Sequence, residues 1–441
     1  MSGANPTMMN DRTFFGLGRL GTLLLASLVS GCGIMPWIGA DRDPTPPTKL
    51  VQIVPSASLT PIWSQRVTRG TQGRELDLVP AVVAERIYVA DARGRLVALD
   101  AGSGRVLWER ETGLSFSGGP DVRGDRLVLG TSRGEVVALS TGDGAELWRT
   151  QVGSEVLSVP RLTDQDQVIA RTLEDSIYGI DATSGEQQWR VHYPAPVLTL
   201  RGSSRPVETP FGILVGLSGG KLLNLDPEDG TPLWEVAITR PSGRSELARI
   251  ADIDADPVVI GTIAFVGSYN GDLAAVDISS GSVLWRRELS AHAGLAANET
   301  ALFVTDSTDQ IWRADPSDGA GRWRQEALLY RRVTAPELVG NLVVVGDFEG
   351  YLHLLSQADG RLVGRTRLTS RGAITARPLS VGGRLIVYAD DGTLAAFSVG
   401  SAADPTERGD SPASLDAGAA ATQAPDIMQD TALTEPAETT P

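Results

Sequence analysis

Several residue patterns in this 441-residue chain have types and spacing that could carry chemistry. Two segments, Gly130-Thr131-Ser132-Arg133-Gly134 and Gly216-Leu217-Ser218-Gly219-Gly220, satisfy G-x-S-x-G, the spacing that lifts a hydrolase serine onto a strand-to-helix elbow. Both occupy one position of an internal repeat, where other copies read Gly267-Ser268-Tyr269-Asn270-Gly271 and Gly346-Asp347-Phe348-Glu349-Gly350. A position that accepts Ser, Tyr and Phe alike is a structural turn, and the helix that an elbow needs is missing. Asp252-x-Asp254-x-Asp256 opens like a calcium loop, but Pro257 and Ile263 stand where an EF-hand needs Gly and Glu. His192, His292 and His353 lie in different repeats without ligand spacing. Gly16 to Gly21 fits G-x-G-x-x-G, yet no strand precedes it. No catalytic, metal or cofactor site is expected from these patterns.

Cys32 is the single cysteine, so neither a disulfide within the chain nor a CxxC metal site can form. Its surroundings give it another task. Arg12 and Arg19 precede a short apolar run, Leu20 to Val29, and Val29-Ser30-Gly31-Cys32 follows directly. This order reads as an export signal, and the run is too short for the ~20 residues of a transmembrane helix. The small residues before Cys32 resemble the lipobox of bacterial lipoproteins, which implies removal of residues 1–31 and acylation of Cys32. Gly33 follows, not the aspartate that would resemble an inner-membrane retention signal, so the expected address is the outer membrane, on its periplasmic side. A formal charge of −15 argues against nucleic acid as a partner.

The elements that would carry any binding residue come from a phrase written eight times, roughly apolar-x-A-L-D-x-x-[SD]-G-x-x-x-W. Trp108, Trp148, Trp189, Trp234, Trp285 and Trp323 follow one another at steps of 40, 41, 45, 51 and 38 residues, the period of a four-stranded propeller blade. Within the first copy, residues 80–83, 86–90, 95–99 and 106–109 alternate apolar and polar between Gly/Asp/Ser turns. Prolines at 80, 120, 160, 210, 257, 336 and 378 are expected to open inner strands. The seventh copy has Gly364 in place of its tryptophan, and the eighth stops before its outer strand. Leu59-Thr60-Pro61-Ile62-Trp63-Ser64 looks like that missing strand. The expected fold is therefore an all-β, eight-bladed β-propeller over residues 59–399, closed by its N-terminal strand. Residues 32–58 suit a lipidated spacer, and residues 400–441, with eight acids against one Arg, suit a disordered acidic tail.

Connections between blades are mostly short, 12 residues from Trp108 to Pro120, but 21 separate Trp189 from Pro210 and 23 separate Trp234 from Pro257. These two enlarged loops should stand side by side on one face, where long ordered loops commonly carry binding. The whole pattern resembles the quinoprotein (PQQ) propellers, and within them the BamB family of outer-membrane lipoproteins. Leu198-Thr199-Leu200-Arg201-Gly202 and Arg249-Ile250-Ala251-Asp252-Ile253-Asp254 are its most specific parts. The resemblance implies a scaffold with no cofactor that sits as a monomer in the BAM complex. It would bind the POTRA domains of BamA and aid insertion of unfolded outer-membrane proteins. It further implies that Leu198, Leu200, Arg201, Asp252 and Asp254 hold BamA. Apolar anchoring is expected of the leucines, while Arg201 pairs with Asp252 or Asp254 or contacts a partner backbone. The alternatives are a PQQ-dependent dehydrogenase, many of which use a vicinal disulfide that one cysteine cannot make, and an envelope-binding propeller unrelated to assembly.

Overall fold

The computed structural model describes residues 45–401 except 203 and 243. The expected signal segment, Cys32 and the acidic tail beyond residue 401 lie outside the described residues. Eight sheets, each built on four antiparallel strands, follow one another along the chain, giving an eight-bladed β-propeller; the sheet of blade two carries one added strand. In blade one the strands are Ala81–Val83, Arg86–Ala90, Arg95–Asp100 and Val106–Glu111. The two middle strands are buried on both faces, because each blade is sandwiched between neighbours, and they read as nearly continuous apolar runs.

Adjacent blades are joined by the tryptophans. The Trp108 indole N–H donates to the Thr141 carbonyl at 3.0 Å, Trp148 to Ala182 at 2.8 Å, and Trp189 to Pro227 at 3.0 Å. Each ring lies on the turn glycine of the next blade. Gly104, at φ +72°, shows why the residue must be glycine: a Cβ there would meet the Trp63 ring at 2.6 Å. Carboxylates also stitch inner strands together, Asp121 accepting from Leu162 N and Glu208 from Asp164 N, both at 2.8 Å.

Blade eight is completed by the chain start. Ala57–Arg66 pairs antiparallel with Thr393–Ser401, from Ala57 opposite Ser401 to Arg66 opposite Thr393. Trp63 then reaches blade one, donating to the Ala101 carbonyl at 3.0 Å. The missing seventh tryptophan has a steric reason here. A Cβ at Gly364 would lie 2.4 Å from the Ala57 carbonyl oxygen, so the closing strand occupies the space that a side chain would need.

Two features differ from expectation, the openings of two inner strands and the spacer. Pro120 does not open the inner strand of blade two but lies inside it, Phe116–Arg123, where the pairing is irregular between Gly118 and Asp121 and no ladder N–H is required of it. Pro206, not Pro210, precedes the inner strand of blade four, Val207–Thr209; Pro210 sits in the hairpin turn after it. Its missing N–H costs nothing there. The second difference is that part of the expected spacer is a docked strap. Thr48 N donates to the Leu329 carbonyl at 3.0 Å, and Ser56 N to Val363 at 2.8 Å. Arg331 and Arg365 each donate to strap carbonyls, at Thr48 (2.9 Å) and Val51 (3.0 Å). Beneath the strap, buried His353 bonds Asp347 at 2.9 Å and accepts from Arg365 Nε at 3.2 Å. Leu50 packs on the core between blades six and seven.

The link from the closing strand to blade one carries an extra strand, Asp77–Leu78, paired parallel to the inner strand of blade two, Phe116–Arg123. Burial beside this strand pushes the Asp77 carboxyl up to about 6, against the attraction of Arg205. The folded protein thus holds this proton more tightly than the unfolded chain, and the resulting stabilisation is lost as pH rises from about 4 through 6. Asp77→Asn should raise stability by about 1–2 kcal/mol at neutral pH, with no gain below about pH 4. Urea midpoints at the two pH values test this, and an equal gain at both would remove the proton from the explanation.

Candidate functional site

The two long connections are residues 193–206, after the outer strand Gln187–His192 of blade three, and residues 238–257, after the outer strand Pro232–Ala237 of blade four. The second includes one short 3-10 turn, Leu247–Arg249. They do stand together, and Asp252 is what joins them. Its Oδ2 accepts the Leu200 N–H at 2.6 Å, and its Oδ1 accepts the Gly219 N–H at 2.9 Å. One carboxylate therefore ties the first loop, the second loop and a hairpin turn of blade four. Asp252 is 1% exposed. Burial pushes its carboxyl above the usual range, partly offset by those two N–H donors.

A second buried pair supports the same turn. Arg171 binds Asp175 at 2.6 Å, and Asp175 Oδ2 accepts from Ser218 N at 3.3 Å. Ser218, the serine of one G-x-S-x-G segment, thus serves a turn through its backbone, and Ser132 sits in the equivalent turn of blade two. The three acids that resemble a calcium loop diverge. Asp252 takes backbone N–H groups, while Asp256 pairs with Arg205 at 2.6 Å and accepts its N–H at 2.8 Å. Asp254 Oδ2 faces His292 Nδ1 at 3.6 Å and raises the pKa of that imidazole. A Cβ on Gly202 would sit 2.4 Å from the Asp254 carboxyl carbon, so the glycine lets the loops close on each other. Among the described residues no group of three or more His, Cys, Asp or Glu is placed to hold a metal.

The five residues singled out by the sequence thus divide. Asp252 is a buried clip and the Asp254 carboxylate turns inward toward His292, while Leu198, Leu200 and Arg201 face outward to different degrees. Leu198 is 42% exposed, and Leu200 is half-buried because its backbone is clipped to Asp252. Arg201 does not pair with either expected aspartate. Its guanidinium forks onto Glu155, Nη1 to Oε2 at 2.9 Å and Nη2 to Oε1 at 2.8 Å. Asp252 is already committed to two backbone N–H groups, and Glu155 of the neighbouring connection supplies the carboxylate instead.

Sequence reasoning missed three surface contributors. Val197 is 95% exposed beside Leu198, and Leu247 is 69% exposed on the second loop. Tyr269 packs edge-on against His292 at 5.6 Å and extends the face toward blade six. An apolar Val-Leu-x-Leu run in an otherwise polar loop was a legible signal for Val197; Leu247 and Tyr269 gave none. The two clipped loops thus carry exposed aliphatic side chains together with Arg201, a composition suited to protein recognition.

Comparison with known proteins bears on the family. The profile of the family described as outer membrane protein assembly factor BamB matches residues 50–113, 92–325 and 331–405. Outer membrane protein assembly factor BamB of Pseudomonas aeruginosa is 39% identical over 378 residues, covering 86% of this chain and 97% of the relative. That of Alkalilimnicola ehrlichii is 40% identical over 336 residues, covering 76% and 87%. The crystal structure of BamB from Moraxella catarrhalis superposes with a TM-score of 0.71 at 26% identity, over 77% of this chain and all of the other. Quinohemoprotein alcohol dehydrogenase from Comamonas testosteroni shares the fold alone, at TM-score 0.61 and 14% identity over 78% and 76% of the two chains. With the blades, the tryptophan docking and these relatives in agreement, the chain belongs to the BamB family of outer-membrane protein assembly factors.

Proposed function

We propose that this chain is a non-enzymatic scaffold of outer-membrane protein assembly, held to the outer membrane by lipid on Cys32 and binding the POTRA domains of BamA within the BAM complex. The observation that supports this reading is the Asp252 clip, which fixes the backbone at Leu200, between Leu198 and Arg201, to the second loop and to the turn at Gly219. Clipping the loops in advance lowers the ordering entropy that a partner would otherwise have to overcome. Leu198, with Val197 and Leu247, supplies apolar area, and Arg201 supplies directional donors.

Alanine at Leu198, Leu200 or Arg201, one at a time, should each weaken BamA binding by roughly 1–3 kcal/mol with little change in melting temperature. Calorimetric titration with purified POTRA domains reads this directly. Three parental affinities would remove the assigned face.

The lipid anchor has its own test. Cys32→Ala should move the protein from the outer-membrane fraction to the soluble periplasm, since the thiol is the acylation point that the lipobox resemblance implies. Unchanged fractionation would mean another attachment.

A further inference from the structure

Glu155 lies outside every motif in the sequence, on the connection 152–160 between blades two and three. Its mounting is firm. The Glu155 carbonyl accepts the Leu173 N–H at 3.0 Å, and Val156 beside it is fully buried. Arg201, in contrast, stands on a stretch without helix or strand, and its side chain is 45% exposed while that of Glu155 is 14% exposed. Both carboxylate oxygens meet both terminal nitrogens of the guanidinium, the fork geometry that fixes a planar group in orientation as well as position.

We infer that Glu155 is a positioning residue for partner recognition: it holds the Arg201 guanidinium in the plane in which Arg201 meets the partner. This rests on the proposed binding face. The end-on fork uses one N–H of each terminal nitrogen and leaves Nε–H and the outer N–H groups for a partner. Glu155 also neutralises the arginine, so the remaining donors suit neutral acceptors, such as the carbonyl row of a strand edge, better than a second carboxylate. An ion pair this exposed adds little stability. Its contribution is orientation, because without the fork a long side chain must be ordered at the moment of binding.

A double-mutant cycle with purified POTRA domains tests the inference. Glu155→Gln keeps the size of the side chain but replaces one acceptor with a donor that faces the guanidinium. It should weaken binding about three- to tenfold in the parent and not at all in an Arg201→Ala background. Glu155→Asp, too short to reach with both oxygens, should fall between. Melting temperatures should stay within a degree or two of parent. Equal losses with and without Arg201 would show that Glu155 acts elsewhere, and full affinity of Glu155→Gln would overturn the inference. If Arg201→Ala itself bound normally, the binding face would fail first, which separates the two outcomes.

Discussion

Deletion of Ala57–Arg66 should cost the ring far more than any single surface change. Blade eight would keep three strands, and the pairing with Thr393–Ser401 would go entirely. With it would go buried Ala57 and Leu59 and the Trp63 contact to blade one. Loss of one large core side chain alone costs about 3–5 kcal/mol for Phe or Trp to Ala, so the deletion should lower stability by more than that and expose an unpaired edge. Trp63→Ala, a milder probe, should cost about 3 kcal/mol because the ring is only partly buried. Thermal unfolding and light scattering would read both effects. A deletion variant that melted like the parent and stayed monomeric would show that the ring does not depend on this strand.

The next largest effect is expected at Asp252, and it should fall on binding more than on fold. Asp252→Ala removes the acceptor for two N–H groups, Leu200 and Gly219. Leaving buried donors unpaired costs about 1–3 kcal/mol, but one of them lies on a long loop that can move out to water. A modest fall in melting temperature should therefore accompany loss of order over residues 193–206. BamA affinity should fall at least tenfold, although Asp252, being 1% exposed, offers almost no surface to a partner. Amide hydrogen exchange at Leu200 distinguishes this from direct contact. Fast exchange with weak binding supports the clip, while weak binding with protected Leu200 would point to a contact role.

Most of the fold was legible because blades repeat. The turn and tryptophan phrase recurs with nearly constant spacing, and each copy reports the same local geometry. The closing strand was legible for the related reason that one copy lacked its last element while the chain start supplied one. What could not be read has no local period. Glu155 meets Arg201 across 46 residues, and Arg331 meets Thr48 across 283. The choice between Pro206 and Pro210 depends on where a three-residue inner strand begins, and two prolines near one end leave a spacing argument undecided. At the site, the pattern indicated the two long loops and their adjacency but not which carboxylate meets which group. Asp252 and Asp254 read as mates for Arg201 or for a partner, and only the folded loops show Asp252 taken by two backbone N–H groups.

The same closure has a kinetic meaning. Synthesis delivers residues 57–66 more than 300 residues before residues 393–401, yet these two stretches must lie side by side in one blade. No order of addition lets the ring finish before the strand Thr393–Ser401 has been made. Early blades can form hairpin by hairpin from local contacts, but the final pairing closes a loop of more than 300 residues and belongs to the slow, high-contact-order class of folding steps. Until then the strand carrying Ala395, Ala396 and Phe397 presents an open, apolar edge. An outer-membrane protein assembly factor built this way has an unpaired strand edge of its own to protect until residues 57–66 and 393–401 meet.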